Sequence, residues 1–107
     1  MIRYGDERWQ DLKFATLRAT ADRRDSQWID VTLTVETDAS TPLPDDLIDL
    51  SIAVFCTHEG HPVQMAVLDE GCDCDYQLTD SEKAQIEAFV RSPDTQRLIA
   101  RAASERE

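Results

Sequence analysis

The stretch "QWIDVTLTVET", residues 27–37, alternates apolar and polar side chains over most of its length. Val31, Leu33 and Val35 fall on one side of an extended chain, and Thr32 and Thr34 fall on the other. A period of two that is rich in β-branched residues is typical of a strand with one buried face. The stretch therefore predicts a sheet that turns one face to the core.

Two later stretches predict a hairpin that extends this sheet. Residues 49–56, "DLSIAVFC", and 62–68, "PVQMAVL", also alternate, and "THEGH" between them holds Gly60 in a short turn. One face of each strand is expected to lie in the core. That face consists of Leu50, Ile52, Val54 and Cys56 in the first strand and of Val63, Met65 and Val67 in the second.

The amino-terminal part of the chain admits two interpretations. Residues 12–20, "LKFATLRAT", predict a first strand, joined to the next one by the polar turn at 21–27. A helix over residues 6–20 is the alternative, although its apolar positions, from Trp9 onward, do not form one stripe on a helical wheel.

The carboxyl-terminal part predicts two helices. Thr79 and Glu82 have the spacing of a capping box, so a helix is expected to begin near Asp80. Ser92 followed by Pro93 resembles a new helix start, which ends the first helix and begins a second. The apolar sides are expected to consist of Ala84, Ile86, Ala88, Phe89 and Val90 in the first helix and Leu98, Ile99, Ala102 and Ala103 in the second.

These elements predict an α+β fold: a three- or four-stranded antiparallel meander followed by two C-terminal helices on one face. The 107 residues suit one domain, in which residues 1–10 and 104–107 are expected to be loosely ordered. The longest apolar run falls short of the roughly 18 residues of a membrane span, and the start lacks a secretory pattern. We therefore expect a soluble, cytoplasmic protein without membrane contact.

Negative charge is concentrated in the middle of the chain. The net charge is −11, and residues 25–82 hold fourteen Asp and Glu residues with no Lys or Arg. Those carboxylates must face water, meet the flanking segments, or await a cation or a basic partner. Direct binding to nucleic acid is disfavoured because it requires a basic patch, so a basic protein surface is the expected partner.

The meander predicts where this charge lies. If sequential strands pair antiparallel, connections 37–49 and 69–78 share one end of the sheet, and turns 21–27 and 58–61 share the other. The opposite end would hold Arg23, Arg24, His58 and His61. The first end would collect the candidate partner-binding residues Asp38, Asp45, Asp46, Asp49, Asp69, Glu70, Asp73 and Asp75.

Several site chemistries are disfavoured by spacing. The set of Cys56, His58, His61, Cys72 and Cys74 lacks the usual zinc spacings, and an intervening strand would separate His61 from Cys72 by roughly 20 Å. Cys72 and Cys74 also lack the C-x-x-C pattern of redox pairs, although any other role for them is left open. No nucleophile elbow, phosphate loop or EF-hand pattern occurs. We expect no catalytic residues, no resident metal and no cofactor.

The order of a threonine-rich strand, an acidic loop with prolines, two short strands and "LTDSEKAQIEAFV" resembles small accessory proteins of bacteriophages and prophages. The likeness covers residues 28–90 and implies a non-enzymatic protein that acts through contacts. Many such proteins inhibit host defence, and several acidic ones imitate the phosphate charge of DNA. Here the basic flanks would confine such imitation to one face.

The leading prediction is thus a small acidic interaction module that presents a DNA-like charged face to a basic, nucleic-acid-binding protein. Two alternatives stay open. Connections 37–49 and 69–78 could bind a divalent metal, or the acidity could serve solubility alone. The sequence leaves the oligomeric state undetermined.

Overall fold

The computed structural model describes residues 1–3, 5 and 10–104. Within them an α+β fold forms, as predicted. The strands are β1 (Ile2–Arg3), β2 (Phe14–Arg23), β3 (Trp28–Thr37), β4 (Leu50–Thr57), β5 (Pro62–Asp69), β6 (Cys72–Asp73) and β7 (Tyr76–Gln77). The helices are α1 (Asp80–Val90) and α2 (Pro93–Ser104).

The main sheet is an antiparallel meander in the order β2-β3-β4-β5-β6, and β1 pairs separately with β7. Consecutive strands are neighbours, so the predicted topology is confirmed. The prediction of three or four strands omitted β6, which adds two residues to the edge beside β5.

The amino-terminal segment is a strand. In β2, Leu17 lies opposite Val35 and Ala19 opposite Leu33, so its apolar residues extend the buried face of β3. The alternative of a helix over 6–20 is wrong for the described residues 10–20. Hydrogen-bonded pairing along a ten-residue strand stabilises this segment more than a helix with scattered apolar positions would. Trp9 lies outside the described residues.

Both helices cover one face of the sheet. Helix α2 packs on β2 and β3, and α1 reaches β2 and β5. The core between them is built from alternate strand residues together with one side of each helix. Its fully or almost fully buried members include Ile29, Val31, Leu33, Ile52, Val54, Cys56, Ile86, Val90, Ile99 and Ala102.

Three residues expected in the core are exposed. Val63 is 60% exposed because the register shifts between Phe55 and Cys56, which leaves Val63 without a partner on β4. Ala84 and Ala88 face solvent because the buried side of α1 passes through Glu82, Ile86 and Val90 instead. In both elements one local feature, a bulge or a buried carboxylate, changes which side chains face the core.

The expectation of one irregular connection over 69–78 is wrong. Glu70 and Gly71 have φ values of 52° and 80°, so they make a two-residue turn of the kind that joins adjacent antiparallel strands. The chain therefore returns along β5 as β6 and reaches β7 before α1 begins. Asp73 consequently lies in a short edge strand, and Asp75 follows it between β6 and β7.

Candidate functional site

The two acidic connections meet at one end of the sheet. Oδ1 of Asp69 accepts hydrogen bonds from the backbone N–H groups of Ile48 at 3.0 Å and Asp49 at 2.9 Å. The backbone N–H of Glu70 donates to the carbonyl oxygen of Asp49 at 2.9 Å. One carboxylate thus joins the end of the 38–49 connection to the start of the β5–β6 turn, and fixes their relative position.

Asp38 has a local structural role at the start of its connection. Its Oδ1 accepts hydrogen bonds from the backbone N–H of Ser40 at 2.9 Å and from the Ser40 hydroxyl at 2.8 Å. These bonds, the backbone one first, hold the pKa of Asp38 below its ordinary value. Asp38 therefore stays ionised to lower pH, with one carboxylate oxygen committed to the turn.

Asp46 fastens its connection to the amino-terminal strand pair. The Tyr76 hydroxyl donates to Oδ1 of Asp46 at 2.6 Å, and the Arg3 guanidinium lies 3.3 Å from Oδ2. The hydrogen bond from Tyr76 is the largest cause that lowers the pKa of Asp46, and the charge of Arg3 adds a smaller effect in the same direction. This carboxylate is therefore partly used inside the molecule.

The other five candidate residues have free carboxylates. Their side chains are exposed, and within residues 1–3, 5 and 10–104 none forms a side-chain hydrogen bond or an ion pair. The eight predicted residues therefore divide into three structural carboxylates and five that are available to a partner. The available five are Asp45, Asp49, Glu70, Asp73 and Asp75.

An exposed apolar side chain stands among these acids. Ile48 is 74% exposed, and its backbone is held by Asp69, while the preceding Leu47 is buried in the core. Ile48 is not among the predicted site residues, because alternation gives no signal in a connection. The 38–49 connection therefore presents one exposed apolar side chain together with the exposed Asp45, Asp46 and Asp49.

The opposite end of the sheet carries basic as well as acidic side chains. There Arg24 pairs with Asp30 at 2.5 Å, and its guanidinium lies 4.7 Å from the centroid of the Phe55 ring. His58 shares a 2.9 Å hydrogen bond with the carbonyl oxygen of Asp25. The eight residues of β4 separate the two ends by about 26 Å. The predicted separation of acidic connections from imidazole-bearing turns is confirmed.

The cysteines lie in three different environments. Cys56 is fully buried, and burial raises the pKa of its thiol to about 11. Cys72 is exposed, while Cys74 is half-buried with Sγ 3.6 Å from the carbonyl oxygen of Val67. Among the described residues, no three Asp, Glu, Cys or His side chains are arranged to hold a metal ion.

These environments predict an order of thiol reactivity. At pH 8, we expect a disulfide reagent to modify Cys72 first, Cys74 more slowly, and Cys56 only after denaturation. Mass spectrometry of digested protein after timed labelling measures the order. Modification of Cys56 as fast as Cys72 in the folded protein would contradict the burial described here, and a Cys72→Ser variant controls for the assignment.

The capping-box pattern predicted that Glu82 lies in the first turn of α1, but it did not predict that Glu82 is buried. It is 0% exposed, and it exchanges hydrogen bonds with Thr79 as the predicted cap requires. Its second oxygen lies 2.5 Å from the α-amino nitrogen of Met1. The carboxylate therefore joins the start of α1 to the amino-terminal segment.

No family model matches this chain, and no curated protein or solved structure is significantly similar to it. None of the helices in the described part of the chain is long and apolar enough to cross a membrane.

Proposed function

We propose that this protein is a small, non-enzymatic interaction module whose acidic end binds a basic surface of another protein. The observation that supports it most directly is a set of five exposed carboxylates without a partner among the described residues. Three of them, Asp45, Asp49 and Glu70, lie on the two connections that Asp69 joins. Because these loops are already fixed, less conformational entropy is lost when a partner binds. The negative charge would also increase the rate of association with a basic partner at low salt.

The partner that suits this surface best is a nucleic-acid-binding protein. Carboxylates can occupy Arg and Lys sites that otherwise receive phosphate groups, because both anions accept bidentate hydrogen bonds. Ile48 would add an apolar contact that a phosphate backbone does not offer. The protein would then act as a phage-type inhibitor that competes with DNA or RNA for a basic site.

Affinity capture tests this proposal. Protein with a C-terminal affinity handle is incubated with lysate of its native host at low salt. We expect it to retain basic nucleic-acid-binding proteins, which are released by moderate salt and by added duplex DNA. Capture that resists both salt and DNA, or that yields no basic protein, would refute the proposed partner class.

A further inference from the structure

One side of β5 has no neighbouring strand over most of its length. On that side β6 pairs only with Leu68 and Asp69, and the chain leaves the main sheet after Asp73. Within the described residues no other strand pairs with β5 there. Positions 63–67 therefore form an open edge of the sheet.

The pairing pattern shows which backbone groups face this open edge. The N–H of Glu70 donates to the carbonyl oxygen of Asp49, on the β4 side. Alternate residues of a strand direct their backbone groups to the same side, so the even-numbered residues of β5 bond to β4. Met65 and Val67 consequently face the open side. The Cys74 thiol, which donates to the carbonyl oxygen of Val67 at 3.6 Å, agrees with this direction.

A cleft lies beside the open edge. One cavity, of about 440 Å³, lies between positions 65–67 and residues of the departing 73–78 segment, with Lys83 of α1 on its wall. A second cavity, of about 340 Å³, continues along β5 beside Lys83 and Glu87. The two adjoin, because Met65 and Lys83 line both. The structure therefore already holds space for an extended backbone next to β5.

The cleft carries free negative charge at the end where β6 stops. Asp73 lines it there, and Asp75 lies two residues further on; both belong to the five free carboxylates. Lys83 is the one cation among the described residues that line the cleft, and Glu87 is paired with Arg91. A strand added antiparallel to β5 would continue the line of β6, so its first residues would lie beside Asp73. Lys or Arg at those positions would meet free carboxylates.

Charge also disfavours another place and another occupant. The strand at the other edge of the sheet, β2, carries Arg18 and Arg23 against a single acid, Asp22, so a basic segment would be repelled there. A second copy of this chain carries the same net charge of −11. Pairing of two β5 edges would therefore bring two acidic molecules together, which is unfavourable.

We propose that the open edge of β5 receives an extended, basic segment of a partner protein, which adds a strand antiparallel to positions 63–67. Main-chain hydrogen bonds give such an interaction its affinity, and contacts with alternate side chains give it specificity. Val63, which is 60% exposed, and the partly buried Met65 provide apolar contacts beside the edge. The preference for basic residues rests on the proposed function, whereas the open edge itself does not.

Amide hydrogen exchange with a designed probe tests the proposal. The probe is a short peptide in which two arginines precede alternating threonine and valine residues. At saturating concentration we expect it to slow exchange of the Met65 and Val67 amides by about tenfold or more. The amide of Ala19, in the edge strand β2, should exchange at an unchanged rate.

Matched peptides and a matched pair of variants serve as controls. A peptide that is N-methylated at alternate backbone amides should protect neither residue, because it lacks the donors that a strand requires. Met65→Pro removes an N–H that does not bond to β4, and proline is accepted at such edge positions. This variant should therefore fold and lose the protection of Val67, whereas Met65→Leu should keep it. Because the peptides are also tested on the unmodified protein, they decide the proposal even if Met65→Pro fails to fold.

Several results would overturn the proposal. No protection of Met65 and Val67, or equal protection by the N-methylated peptide, would exclude strand addition; if the arginine peptide still shifted the NMR signals of Asp49 and Glu70, the proposed function would stand. Equal protection by a peptide with glutamates in place of the arginines would exclude the basic preference and count against the proposed function. Protection that rises with protein concentration without peptide would identify a second copy as the occupant.

Discussion

Replacing Glu82 with alanine is expected to lower the free energy of unfolding by about 2–6 kcal/mol. The substitution removes the acceptor for the backbone N–H groups of Leu12 and Thr79, which remain away from water. Each buried donor left without an acceptor costs about 1–3 kcal/mol. Urea unfolding followed by circular dichroism measures the change.

Glu87→Ala provides the comparison for this result. Glu87 lies on α1 as well, but it is exposed and its ion pair with Arg91 spans one turn of the helix. Exposed pairs of this type contribute about 0.3–0.5 kcal/mol. If Glu82→Ala were as mild as Glu87→Ala, Glu82 would not be the buried link between α1 and the amino terminus.

Removing three free carboxylates from the acidic end is expected to weaken partner capture about 10- to 100-fold at low salt. The variant combines Asp45→Asn, Asp49→Asn and Glu70→Gln. It spares Asp38, Asp46 and Asp69, whose hydrogen bonds build the connections. The fold should therefore persist while the surface loses its charge. Titration of the captured partner with each protein measures the loss.

A control variant with the same net charge separates position from total charge. Asp22→Asn, Glu59→Gln and Asp94→Asn also remove three exposed acids, but from β2, the turn after β4 and the start of α2. We expect this variant to bind nearly as well as the unmodified protein. Equal losses in the two variants would show that total charge, not the acidic end, determines capture. No loss in either variant would favour the interpretation that acidity serves only solubility.

The fold could be predicted because its strong signals are local. Alternation in β3 and β4 fixed which residues face the core, and the capping box at Thr79 located the start of α1. The errors arose where the exact pairing between strands decides the outcome. The bulge at Val63 and the pairing of β1 with β7 depend on neighbours that alternation and spacing do not identify.

The sequence was sufficient to predict where the candidate site lies, but not which role each of its carboxylates has. Topology alone placed the acidic connections at one end, because an antiparallel meander alternates its turns. Composition could not show that the side chains of Asp69 and Asp46 have internal partners, whereas those of Asp45 and Asp49 have none within residues 1–3, 5 and 10–104. It also could not show that Glu82 is buried, since the same capping box forms at exposed helix ends.

The salt dependence of partner affinity tests the central claim, that a localised acidic end does the binding, most directly. A plot of the logarithm of the association constant against the logarithm of salt concentration should fall steeply for the unmodified protein and for the Asp22, Glu59 and Asp94 variant. It should be clearly flatter for the Asp45, Asp49 and Glu70 variant. Equal slopes for all three proteins would contradict the claim.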